Sequence, residues 1–465
     1  MDAHQFTEEE IVSIGKSTIG KTFDDLGFQE WAKENNGGKG RLGEFFEECV
    51  YGYKKNSDHH ADFTAAGIEL KVTGCRFKNE KDIWTAKERL VLCMINYLDD
   101  YQFSFEDSPM WEKSKKIFAI FYRYSNESKE DYGKFRIIDA RLLSFSDEDI
   151  EVIKEDYNKI IEKIKGGTAD TISEGDTNYL AACTKGATAD SSWTDQPFAK
   201  EQAKRRAWSY KPSFMSRKIN EWFGQQKPES IITDPKDIER YTLEGAIMKK
   251  VDEYIGMKRS ELVVRFGLPA KQKQLNRSLL NKMLGLTGDE GNINEISAAD
   301  IIIKTVTLEP DGLPQEHMSF PYFDFSEVAN TPYEDSEIYK LWSGHTFLFV
   351  LWKKAAKGKN QEETFAGICF WKMAYSDLMG PCKKMYEETA KMLREGTVLY
   401  YDDKHRIRNH FPKPGSNGVC HVRPHGRDGQ DTCRFPVQDK ATGLYQTTKQ
   451  GFWLDRDYVR FAIKK

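Results

Sequence analysis

The sequence predicts an α/β chain folded as two domains of like construction. Three observations lead there. The 465 residues exceed one ordinary domain. Each half contains short apolar strand-like runs and longer amphipathic helical stretches. The order of those segments in the first half recurs in the second. The predicted domains are 1–225 and 236–465, separated by GQQKPESIITD from Gly224, where Pro228 and Pro235 punctuate the chain.

The recurrence is read in five steps. AAGIELK from Ala65 is matched by AADIIIK from Ala298. The aromatic strand KIFAIFYRY from Lys116 is matched by HTFLFVLWK from His345. Helical stretches follow, EDIEVIKEDYNKIIEKI from Glu148 and GPCKKMYEETAKMLREG from Gly380. Turns containing AACTKGA and CHVRPHG come next, and each half closes on an aromatic segment leading to a helix, AWSYKPSFM and GFWLDRDYV. At matched offsets Lys71 is kept as Lys304 and Asp62 falls on Glu295, but Glu69 becomes Ile302. An acid replaced by isoleucine is expected of a second copy that keeps the fold and drops a metal-dependent reaction.

Composition narrows the function classes. Hydrophobic residues are 39% and charged residues 31%, which suits solvated domains with real cores. No apolar run reaches the roughly 20 residues of a membrane helix, and MDAHQFTEEEIVSIGK lacks the pattern of a secretory signal. A cytoplasmic protein without membrane contact is predicted. Eight cysteines are scattered without a CxxC. Cys420, His421, His425 and Cys433 can be drawn as a metal site, but their spacing fits no familiar zinc module. Net charge is −4, against a nucleic-acid partner in bulk. Locally the balance reverses. Lys200–Lys218 carries seven Lys or Arg against one Glu, with Trp208, Tyr210 and Phe214 interleaved, and a second basic stretch runs from His405 to Arg427.

The chemistry concentrates in ADFTAAGIELKVTG, residues 61–74. In a strand Glu69 and Lys71 project to one face. Asp62 returns beside them if Phe63–Gly67 bends. Two converging carboxylates repel unless a hard divalent cation lies between them, and Mg2+ with its oxygen preference suits such a pair. A nearby lysine would stabilise an increasingly anionic phosphoryl transition state. The set is coherent for phosphodiester hydrolysis, while Glu-x-Lys on a solvated strand face is the bland alternative. The preceding KGRLGEFFEECVYGY places Leu42, Phe45, Phe46 and Cys49 on one apolar stripe, with Glu47 off it and able to reach the hairpin.

Together, KGRLGEFFE, ADFTAAGIELKVTG and KERLVL resemble the MutH/Sau-type family of GATC-specific endonucleases, and the resemblance spans essentially the whole chain, closest to the two-domain restriction enzymes. It implies a restriction-endonuclease-like fold in each half, a mixed sheet flanked by helices. It implies Asp62, Glu69 and Lys71 as catalytic residues with the two acids on Mg2+, Glu47 as an additional helix acid, and Lys113 as a further lysine beside Lys115 and Lys116. Lys185 falls where the family contacts DNA, although Cys183-Thr184 stands where the repair nickase has Arg-Pro. Arg423-Pro424 keeps that form, making Arg423 and His425 candidate contacts alongside Lys204, Arg205 and Arg206. The implied reaction is double-strand cleavage at 5′-GATC leaving 5′ overhangs, with an inactive second domain binding an effector copy of the site. A methyl-directed nickase and a non-catalytic DNA-binding protein are the alternatives. A monomer and a DNA-induced dimer fit equally well.

Overall fold

The computed structural model describes residues 5–35, 40–53, 61–125, 131–186, 192–224, 229–287, 294–358 and 361–464. The chain forms two compact units, Met1–Ala246 with Gly291–Asp300, and Ile247–Glu290 with Ile301–Lys465.

The first unit contains strands β1 (Glu69–Lys78), β2 (Ile83–Ala86), β3 (Leu90–Met94), β4 (Ile117–Arg123), β5 (Arg136–Leu142), β6 (Leu180–Thr184), β7 (Trp193–Thr194), β8 (Ala203–Lys204) and β9 (Arg206–Tyr210). A mixed sheet runs β2-β1-β4-β5, with β1 and β4 parallel and the other pairs antiparallel. The apolar run IFAIFYR makes β4 its buried centre, covered on both faces. Phe118, Ile120 and Tyr122 join the core formed by Ile11, Phe23, Phe45 and Phe46. On the opposite face Phe121 meets Trp222 and Phe223, with ring centroids 6.0 and 5.6 Å away.

A second sheet, β3-β9-β6, is antiparallel throughout. The helix Asp147–Lys165 begins on a Ser146/Asp149 capping box. Its buried Asp156 accepts the backbone N–H groups of Asn178, Tyr179 and Leu180 at 2.7, 2.6 and 2.9 Å, tying the helix to the start of β6. Tyr157 of the same helix stacks on Trp208 of β9.

The second unit contains β10 (Ile302–Leu308), β11 (Met318–Tyr322), β12 (Phe347–Lys354), β13 (Glu363–Trp371), β14 (Leu399–Tyr401), β15 (Ile407–Asn409), β16 (Cys420–Pro424), β17 (Thr432–Arg434), β18 (Gln446–Thr448) and β19 (Gln450–Leu454). The connectivity repeats that of the first. Strand β10 is parallel to β12, which is antiparallel to β13. The sheet β11-β19-β16 is antiparallel, as β3-β9-β6 is. The matched segments fall on corresponding elements, and the register agrees. Glu69 opposes Ile117 and its N–H donates to Lys116 O at 3.0 Å, while Ile302 opposes Phe347 and donates to Thr346 O at 2.9 Å.

The offset match of Asp62 with Glu295 is different. Glu295 lies in the helix Asn294–Ala298, which the first unit takes in. Its carboxylate accepts the N–H groups of Ile231 and Ile232, each at 3.0 Å, and the Ser230 hydroxyl. It holds a backbone turn and is not the acid of a second hairpin. Among the described residues no helix is long and apolar enough to cross a membrane.

Candidate active site

The bend before β1 forms as the small residues require. Phe63 N–H donates to Ile68 O at 2.9 Å and Ile68 N–H returns to Phe63 O at 3.2 Å. Gly67 closes the turn at φ +62°, in the left-handed region where a Cβ costs about 1–2 kcal/mol. Phe63 is fully buried against Tyr51 and Tyr53, which anchors the bend. Strand β1 pairs with β2 only from Cys75 onward, so that edge is open near Glu69. The carboxylate of Asp62 fills the opening, accepting Leu70 N–H at 2.8 Å.

Glu69 and Lys71 share a face as the period of two dictates, and Leu70 turns the other way into the core. The Lys71 ammonium donates to Glu69 Oε1 at 2.7 Å. Glu69 is 4% exposed, and its buried Oε2 has no hydrogen-bond partner among the described residues. Burial first, and then the charge of Glu69, pushes the Asp62 carboxyl up to about 6, against the opposing pull of Leu70 N–H, Lys71 and Lys113. Of Lys113, Lys115 and Lys116, Lys113 is the one whose charge acts on this carboxyl alongside Lys71. Lys115 pairs with Glu112, and Lys116 pairs with Glu8 at 2.6 Å.

Glu47 arrives by a local irregularity. The helix Arg41–Phe45 continues into a π-helical turn over Phe46–Val50, closed by Tyr51 N–H donating to Phe46 O at 3.0 Å. Leu42, Phe45 and Phe46 are buried as the stripe predicts, but Cys49 is exposed. The wider turn takes up extra chain and rotates Cys49 off the stripe. Burial and then the charges of Asp62, Glu47 and Glu69 all push the Tyr53 phenol upward, so all three acids lie within electrostatic range of it. Cys93 on β3 also borders the site. Burial and Asp100 raise its thiol to about 12, while Lys113 and Lys71 oppose them. Sequence reasoning missed both Tyr53 and Cys93. Their only signal was position, since Tyr53 ends the Glu47 segment and Cys93 follows KERLVL.

The candidate DNA contacts divide. Lys185 N–H bonds Arg205 O at 2.8 Å, exposed Arg205 reaches Trp193 O, and the Lys204 ammonium lies 5.7 Å from the Trp193 ring centroid. These three gather beside the short β7–β8 ribbon. Arg206 does not join them. It is 6% exposed, and its guanidinium donates to Ala182 O at 2.7 Å and to Ile172 O inside the protein. Lys211 donates to Thr177 O, and Arg217 and Lys218 pair with Asp149 beneath the surface. The basic run is thus largely internal, and Arg206 is a core residue. In the second unit Arg423 is exposed with its guanidinium 5.5 Å from the Trp453 ring centroid, and His425 meets the same ring edge-on.

The cysteine-rich metal set does not assemble. Cys420 Sγ faces Cys382 Sγ at 3.5 Å, Cys433 lies beside Asp324, and His421 turns to Asp455.

The family model for the DNA mismatch repair enzyme MutH matches residues 51–156, which span the hairpin, β1 to β5 and Lys113. The type II restriction enzyme Sau3AI of Staphylococcus aureus is 33% identical over 488 aligned residues, covering 98% of each chain. A likeness of that extent takes in both units and their shared topology, and the chain belongs to the MutH/Sau3AI-like family of type II restriction endonucleases.

Proposed function

We propose that this restriction endonuclease cuts both strands of DNA at 5′-GATC, leaves 5′ overhangs, depends on Mg2+, and does its chemistry at Asp62, Glu69 and Lys71. The observation that carries the reading is the buried, unsatisfied Oε2 of Glu69 beside the charge-strained carboxyl of Asp62. An acid pair in that condition fits a hard divalent cation, and Asp62 and Glu69 would hold it. Such an ion supplies Lewis-acid stabilisation of the phosphoryl group and a more acidic water.

The chain's own residues complete the site. Glu69 fixes Lys71 by a 2.7 Å ion pair, so the ammonium is already oriented before substrate arrives. Lys71 then stabilises negative charge growing on the phosphoryl oxygens as water attacks phosphorus and the ester oxygen departs. Lys113 lowers the Asp62 carboxyl and favours the ionised form needed to bind a cation. Glu47 adds a third acid. Lys185, Lys204 and Arg205 supply phosphate contacts in the first unit, and Arg423 and His425 in the second. The second unit carries Ile302 at the register position of Glu69, which supports the reading of an effector domain that holds DNA without cutting it.

A supercoiled plasmid with one GATC site tests this. Linear product with mapped 5′ ends at GATC is expected with Mg2+, and none with EDTA. Glu69→Ala and Lys71→Ala should each lose at least about a thousandfold in rate while still binding the duplex. Wild-type cleavage by either variant refutes the site, and open circle alone replaces the reading with a nickase.

A further inference from the structure

Among the described residues, one cluster of metal-ligating side chains lies outside the hairpin. His317 immediately precedes β11, His421 is on β16, and Asp455 immediately follows β19, so the three sit on the three strands of one sheet. One ligand atom from each lies within 4.8 Å of the others. Asp455 Oδ1 is 2.6 Å from His421 Nδ1 and 3.7 Å from His317 Nδ1, and the imidazoles meet edge to face with centroids 4.7 Å apart. We infer that His317, His421 and Asp455 form a binding site for one divalent transition-metal ion of the Zn2+ class in the second unit.

The chemistry of the donors selects that class. Two imidazoles and one carboxylate are a borderline-soft set, suited to Zn2+ and poorly suited to Mg2+. Zn–ligand bonds of about 2.0–2.1 Å place tetrahedral ligand atoms about 3.3 Å apart, between the two measured separations. Binding would exchange two hydrogen bonds, Asp455 with His421 and Arg456 N–H to His317 Nδ1 at 3.2 Å, for three metal bonds. His421 is fully buried and is held through Nδ1 alone, its Nε2 having no hydrogen-bond partner among the described residues. His317 borders a cavity of about 320 Å³, which gives an ion a route in and leaves room for a water as fourth ligand.

The first unit shows that the set is not a by-product of the fold. By strand register Leu90 corresponds to Met318, Ala181 to His421 and Tyr210 to Leu454. The equivalents of His317, His421 and Asp455 are therefore Arg89, Ala181 and Lys211. Arg89 is occupied by Glu174 at 2.7 and 3.0 Å, and Lys211 by Thr177 O. Arg89, Ala181 and Lys211 therefore offer no ligand set. The metal would join β11, β16 and the end of β19, the sheet whose strand β16 bears Arg423.

The test is Zn2+ binding by the full chain, measured by competition with a chromophoric chelator, with Co2+ as spectroscopic probe. One tight equivalent is expected, with intense tetrahedral Co2+ bands, and both persist in Glu69→Ala. His317→Ala and His421→Gln should each weaken it at least about tenfold at unchanged circular dichroism. If His421→Gln does not fold, the half-buried His317 decides alone. Failure to take up Zn2+, or undiminished affinity in His317→Ala, overturns the site. Both readouts are independent of DNA cleavage, so they stand apart from the reading of the hairpin.

Discussion

An acid site assembled before its cation should weaken the protein that carries it, and Asp62 gives the size of the effect. Its carboxyl ionises near 3.8 ordinarily and is pushed up to about 6 in the folded chain. Converted at about 1.4 kcal/mol per pH unit, the difference disfavours the folded, ionised state by about 3 kcal/mol. Solvent reaching the half-buried side chain reduces this to about 2 kcal/mol. The sign follows from proton binding. Between the two values the folded state holds more protons than the unfolded, so stability falls as pH rises from about 4 to about 6 and stays low above. Asp62→Asn keeps an oxygen for Leu70 N–H and removes the repulsion with Glu69. In EDTA at pH 8 it should therefore be more stable than wild type, with the first unit melting roughly 4–8 °C higher. The gap should close toward pH 4. Mg2+ should raise the wild-type transition and leave Asp62→Asn nearly unmoved. Calorimetry at pH 8 and pH 4.5, with and without Mg2+, reads all of this. A variant no more stable than wild type at pH 8 in EDTA refutes the argument, because the acids would then not be in conflict.

Other consequences can be measured separately. Lys113→Ala removes a charge that lowers the Asp62 carboxyl, so the acidic limb of its pH–rate profile should move to higher pH; an unmoved limb would place Lys113 outside the site. Arg205→Ala should weaken duplex binding about equally on all sequences and reduce the salt slope by about 1, without loss of stability. Arg206→Ala should instead cost about 2–3 kcal/mol of folding stability, because two buried carbonyls lose their donor; equal effects on DNA binding from both would contradict the division. If the second unit holds an effector site, plasmids with two GATC sites should be cut faster than those with one at matched site concentration, and Arg423→Ala should remove the difference.

How much of this was legible in the sequence depended on how local each feature is. The hairpin was readable because bend, alternation and acid spacing lie within 14 residues. The repeat was readable because strand and helix periods survive divergence, and the register of Glu69 with Ile302 follows from them. Cys49 was misplaced because a π turn changes the period without a distinctive residue. His317, His421 and Asp455 were invisible as a group because they come from three strands far apart in the chain. The basic run is more instructive. Its composition reads as a nucleic-acid surface, yet Arg217 and Lys218 satisfy Asp149, nearly 70 residues upstream, and Arg206 satisfies carbonyls of other segments. A local signal did exist. On β9 Arg206 alternates with Trp208 and Tyr210, so a strand period of two sets the arginine on the same face as two aromatics that are fully buried. Arg205 and Lys204 lie before that alternation begins, beside the exposed Trp193. Charge counts over a window cannot separate these cases, because they average across both faces of a strand. Counting one face at a time separates Arg206 from Arg205 and Lys204, and leaves those two to meet a phosphate backbone.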